Sequence, residues 1–148
     1  MDIKQAFIDS VIEVLPMFGI KCIYLGEMEE PVLASANQVN VLIGFTDGVK
    51  GSLLVAFKKS TAIKVASAMM GGIELDDLDE IAESAVGEIA NMLVGCTIGK
   101  LQSGPVLNFS PPTLAVGERM FLMISRIKTT KLSFKLDEEV FDLSFCLE

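Results

Sequence analysis

The sequence predicts an α+β domain, a pseudo-twofold α/β sandwich whose mostly antiparallel six-stranded sheet carries helices packed on it. Three observations support that class. Along the 148 residues the apolar pattern switches between a helical period and strand-like runs. The strand-like runs fall in neighbouring groups, which favours antiparallel pairing over a doubly wound parallel sheet. Two helical segments, Asp9 to Pro16 and Ser84 to Asn91, share their spacing, and each precedes β structure.

The first segment, Ile3 to Phe18, has Phe7, Val11, Val14, Leu15 and Phe18 on one side of a helix. Pro16 disturbs its last turn, and Gly19 follows as the residue that closes the C-terminus. Lys21 to Gly26 reads as a short strand, followed by a connection containing Pro31. Val39 to Phe45 and Gly51 to Phe57, joined by a turn at Asp47-Gly48, read as a hairpin. Ala62, Ile63, Val65, Ala66 and Met69 mark a second helix that ends at Gly71-Gly72. A long helix follows, opened by Asp76, Asp77, Asp79 and Glu80 and running to about Leu101. Asp77 and Glu80 have the spacing of a capping box, and acids at this end complement the helix dipole. Divalent metal binding and partner steering are the other readings of that acidic cluster. After Pro111-Pro112, the runs Met120 to Lys128, Leu132 to Leu136 and Val140 to Leu147 form an expected meander.

Composition narrows the function. Hydrophobic residues make up 51% and charged residues 22%, the balance of a globular chain, expected as a single domain over residues 1–148. Net charge is −8 without a basic run, which argues against nucleic acid as a partner. Histidine is absent, which removes Ser-His and Cys-His nucleophile pairs and imidazole bases. Cys22, Cys96 and Cys146 form no C-x-x-C pair and read as reduced buried thiols rather than a disulfide or zinc site. Ile89 to Gly99 is an uncharged stretch too short to cross a bilayer, and Leu101 to Gly117 is interrupted by Pro105, Pro111 and Pro112. The start Met1-Asp2-Ile3-Lys4 lacks a signal-peptide pattern. The expectation is a cytoplasmic protein with no membrane segment.

On the long helix, Ser84, Glu88, Asn91 and Gly95 fall within a sector of roughly 60° at about 100° per residue. Ala82, Ala85, Val86, Ile89, Met92, Leu93 and Cys96 occupy the remaining face. The polar stripe therefore points to solvent or a partner, over about 10 Å from Ser84 to Asn91. Gly87 and Gly95 each cost about 0.5–1 kcal/mol relative to Ala inside a helix. They either let a partner's backbone approach or pack against this domain's own strands. Glu88 and Asn91 put one carboxylate beside one carboxamide, so an acid–base pair of carboxylates is excluded. A carboxamide can accept from a water while donating to a phosphoryl oxygen, which is the positioning task of phosphoryl transfer. An ordinary solvated helix face is the alternative.

The run Glu83-Ser84-Ala85-Val86-Gly87-Glu88-Ile89-Ala90-Asn91-Met92-Leu93-Val94-Gly95 resembles the signature of the CheC/CheX/FliY phosphatases. The segment Ser110-Pro111-Pro112-Thr113-Leu114-Ala115-Val116-Gly117 resembles that family's proline-containing segment, although the gap from Asn91 to Pro112 is slightly shorter than usual. The resemblance implies an enzyme acting on the aspartyl phosphate of a phosphorylated CheY-like response regulator. In it Glu88 holds a receiver lysine, Asn91 orients the attacking water, and Ser84 stands at a matching family position. From the helix pattern, Ser84, Gly87 and Gly95 are read as partner-docking residues. The resemblance implies no cofactor or metal of the chain's own, with Mg2+ carried by the receiver. Family members of the CheC type carry two such sites. Here Glu13 is kept in the first helix but Pro16 stands at the asparagine position, so one working site is expected, as in the CheX branch. That branch also implies a homodimer. The competing function is a non-catalytic receiver-binding adaptor or flagellar-switch-like module.

Overall fold

A computed structural model describes residues 2–47, 50–101 and 108–148. Helix α1 (Ile3–Met17) leads into strands β1 (Cys22–Glu30), β2 (Leu33–Ser35), β3 (Val39–Asp47) and β4 (Gly51–Phe57). Helices α2 (Lys59–Met69) and α3 (Glu80–Lys100) follow. The chain closes with β5 (Asn108–Phe109), β6 (Thr113–Val116), β7 (Leu122–Ser125), β8 (Thr129–Leu136) and β9 (Glu139–Leu147).

The main sheet runs β1-β8-β9-β4-β3, and β5 and β6 share the last position, both against β3. Its pairings are all antiparallel. The sheet is thus six positions wide, as expected, with seven strands because the outer position is split. Exchanging β1 with β6, β3 with β8 and β4 with β9 maps the order onto itself. The same exchange maps β2 onto β7, which pair with each other in a separate two-stranded ribbon. Each half is a helix followed by four matching strands, α1-β1-β2-β3-β4 and α3-β6-β7-β8-β9, the second with the two-residue β5 inserted after its helix, and β1 and β6 each pair with the other half's edge. The internal resemblance in the sequence is therefore a true pseudo-twofold in topology.

Three expectations change. Met120 to Lys128 does not join the main sheet: only Leu122–Ser125 is extended there, and it pairs with β2 in the separate ribbon. The cap of α3 is Asp79, whose carboxylate accepts from the Ala82 amide at 2.8 Å. Asp77 instead accepts from the Leu78 amide and pairs with Lys59 at 2.9 Å, so no capping box forms. α3 itself, 21 residues long, has the length and composition of a membrane span, contrary to the expectation of none. Its Ala82, Val86, Ile89, Ala90, Leu93 and Val94 are nevertheless buried in this domain, the position of a core helix. The Asp47-Gly48 turn and Pro105 involve positions outside the described residues.

Both short helices end as their glycines suggest. Gly19, at φ 77°, lets its amide donate to Pro16 and the Ile20 amide donate to Leu15, a Schellman closure. Gly71, at φ 81°, does the same for α2, with the Gly72 amide on Ser67 at 2.8 Å. Pro16 therefore sits inside the last turn of α1 without breaking it.

Strand alternation sends Val39, Val41, Ile43, Leu53, Val55, Phe57, Leu132, Phe134, Phe141 and Leu143 toward the helices. Phe134 is flanked by Tyr24 at 5.5 Å and Phe141 at 5.3 Å, and Phe7 anchors α1 on Phe145 at 5.1 Å. A smaller cluster of Leu33, Leu54 and Cys146 lies under the β2–β7 ribbon on the opposite face.

Candidate functional site

α3 carries the site because its two faces have opposite fates. The buried positions dock it on the sheet, and Thr97 ties its far end to α1. Thr97 Oγ1 lies 3.0 Å from Ser10 Oγ and 2.8 Å from the Leu93 carbonyl, while the Ser10 hydroxyl donates to Ala6. What remains outside is the stripe: Ser84, Glu88 and Gly95 are exposed and Asn91 is half-buried.

Glu88 makes no ion pair or hydrogen bond among the described residues, so its charge is available to a partner. Asn91 is the more telling residue. Its Oδ1 is buried and has no hydrogen-bond partner among the described residues, and its Nδ2 has none there either. Leaving a buried polar atom unpaired costs about 1–3 kcal/mol, so such a group calls for an explanation outside stability.

The two glycines separate. Gly87 is buried, and a Cβ placed there would lie 3.2 Å from Leu114 Cδ1 and 3.7 Å from Pro112 Cγ. It therefore does not belong to the docking face. Its missing side chain lets β6 and the proline segment lie against α3, the intramolecular alternative. Gly95 is exposed with nothing within 4 Å of an added Cβ, so it keeps the surface beyond Asn91 bare.

The corresponding face of α1 is closed. Pro16 is exposed but offers no carboxamide, and Glu13 is taken by Lys100 of α3 at 2.7 Å, with the Cys96 thiol at 3.7 Å. Sequence reasoning missed this pair, because Lys100 lies on a different helix and nothing local marks it. The Lys100 hydrogen bond holds the Glu13 carboxyl below its ordinary value of 4.5, and Glu13 in turn raises Lys100 above 10.5. A depressed carboxyl contributes stability above its unfolded value and loses it as pH falls through the folded one. Replacing Lys100 with Met should therefore flatten part of the acid limb of stability below about pH 4.5, measured by urea unfolding across that range.

An α+β domain of two interlocked halves is a fold shared by several solved structures of chemotaxis proteins. One, a chemotaxis protein CheX from Desulfovibrio desulfuricans, superposes with a TM-score of 0.88 at 27% identity, covering 100% of both chains. The family described as chemotaxis phosphatase CheX matches residues 39–130, and the chain belongs to that family. The CheY-P phosphatase CheX of Thermotoga maritima is 43% identical over 108 residues, which span 69% of this chain and 66% of that relative. A chain from a crystallised CheX–CheY–BeF3–Mg2+ complex of Borrelia burgdorferi shares the fold, with a TM-score of 0.78 at 23% identity over 99% of this chain and 98% of that one.

Proposed function

We propose that this chain is a phosphatase that hydrolyses the aspartyl phosphate of a CheY-like response regulator. The observation that carries the reading is the free carboxamide of Asn91 one turn beyond the free carboxylate of Glu88, on a core helix of a CheX-family chain. Glu88 takes the ammonium of a receiver lysine and fixes where α3 lies. Asn91 then accepts a hydrogen bond from a water and donates one to a phosphoryl oxygen, holding the water in line with the scissile bond. The water oxygen bonds to phosphorus as the bond to the aspartyl oxygen breaks. Inorganic phosphate leaves, and the receiver carboxylate is restored. Mg2+ belongs to the receiver in this scheme and offsets charge on the phosphoryl oxygens. Ser84 adds a polar contact one turn before Glu88, and Gly95 leaves room for receiver backbone beyond Asn91. The work is cytoplasmic, where such receivers act. Mixing the chain with a panel of phosphorylated receivers from the same organism tests the reading: one of them should release phosphate faster, and no acceleration across the panel would overturn it.

The homodimer has a natural place in this scheme at the edge of the sheet. β1 lies at one edge of the sheet, its nine residues bonded on one side to β8. Ile23, Leu25 and Met28 on it are 48%, 52% and 59% exposed. The opposite edge is made of the short β5 and β6, with Pro111-Pro112 between them. An unpaired antiparallel edge is self-complementary across a twofold, so a second copy fits β1. Sedimentation should report a dimer for the wild type and a monomer for Leu25→Lys with Ile23→Lys. A wild-type monomer at micromolar concentration would remove the proposal.

A further inference from the structure

We propose that the sheet face opposite the helices carries a binding site for a small zwitterion of amino-acid type. Because side chains alternate along a strand, the residues that do not face the helices gather on the other side. On β8 and β9 these include Lys131, Asp142 and Ser144, and on β4 Leu54. The β2–β7 ribbon covers only part of that face. Beside it remains a cavity of about 360 Å3, lined among others by Glu30, Leu54, Phe121, Lys131, Asp142 and Ser144. That volume is at the lower end of the range for small-molecule sites, about 300–1,000 Å3.

The polar groups of the cavity are only partly engaged with one another. Ser144 is only 7% exposed, and its hydroxyl has no hydrogen-bond partner among the described residues. As part of the cavity lining, that hydroxyl is open to a ligand that enters. Lys131 Nζ stands 3.8 Å from Asp142 Oδ2 and 3.9 Å from Glu30 Oε1, near both carboxylates and hydrogen-bonded to neither. Asp142 uses only Oδ1, which accepts from Ser133 at 2.8 Å. An ammonium and two carboxylates therefore face one small space with donors and acceptors to spare.

Charge decides the ligand class. A simple anion meeting Lys131 would lie against Asp142 and Glu30, and a simple cation meeting those acids would lie against Lys131. A zwitterion satisfies both, its carboxylate on Lys131 and the Ser144 hydroxyl, its ammonium on Asp142 and Glu30. Leu54 and Phe121 leave room for a short apolar side chain. The cavity wall also reaches toward the stripe. The Ser35 hydroxyl donates to Asn40 Oδ1 at 2.6 Å, and Asn40 Nδ2 donates to the Ala115 carbonyl of β6 at 3.4 Å. The neighbouring Leu114 is the residue that faces Gly87 of α3.

Calorimetric titration of the full chain with each common amino acid in turn tests the site, alongside acetate and methylamine as single-charge probes. It reads binding directly, so its outcome is independent of whether the chain dephosphorylates a receiver. At least one small apolar amino acid should bind at submillimolar concentration, with acetate and methylamine weaker by about tenfold or more. Ser144→Ala and Lys131→Met, checked for wild-type melting, should each weaken that binding by about tenfold. Should either variant misfold, the methyl resonances of Leu54 in the wild-type chain should still shift on titration. No heat with any amino acid would overturn the proposal. So would binding that survives both substitutions, or acetate binding as tightly as the amino acid.

Discussion

Asn91→Ala is expected to slow phosphate removal from the receiver by about 10²-fold or more while leaving the melting temperature unchanged or raised. The two halves of that result have one cause. In the free chain the carboxamide forms no hydrogen bond with the described residues, and its Oδ1 is already buried. Truncation therefore removes an unpaired polar group at little cost to the fold. On the receiver the same group positions a water, and alanine offers neither an acceptor nor a donor to replace it. A side chain kept for packing would behave the other way, losing stability first. Thermal unfolding and a phosphate-release assay on the same preparation check both halves.

Glu88→Lys should weaken binding to a beryllofluoride-activated receiver by roughly 10²-fold or more, since it places like charges against each other. Stability should hardly move, because Glu88 is exposed and forms no ion pair among the described residues. The milder Glu88→Gln should also bind less tightly, with a smaller salt dependence than wild type. At saturating receiver it should keep most of the turnover that Asn91→Ala loses, since it removes holding and not water placement. Titration calorimetry at two ionic strengths, paired with saturation kinetics, separates the two roles.

Much of this architecture was legible in the sequence because it is local. The β3–β4 hairpin, both Schellman closures and the apolar face of α3 each declare themselves within a few turns or one alternating run. The misses are short or non-local. β2, β5 and β6 have three, two and four residues, too few to show a period. β7 takes its partner from the other half of the chain, so its apolar run looked like one more strand of the meander. At the start of α3 two aspartates compete for the cap, and Asp77 is drawn away by Lys59, a residue of α2.

The stripe was legible for the same reason as the hairpin: Ser84, Glu88 and Asn91 are neighbours on one helix surface. Gly87 and Gly95 could not be told apart from sequence. What distinguishes them is Leu114 and Pro112, brought across Gly87 by the swapped edge strand β6. The closure of the α1 face was half legible. Pro16 announced the missing carboxamide, whereas the capture of Glu13 by Lys100 depends on how α1 and α3 pack.

Decay of the acyl phosphate on a cognate receiver, with this chain at substoichiometric concentration, tests the central claim most directly. The account predicts that wild type clears many equivalents of phosphoreceiver, and that Asn91→Ala still captures it without shortening its lifetime. Capture by the wild type with an unchanged phosphate lifetime would contradict the account and leave a non-catalytic receiver-binding module in its place.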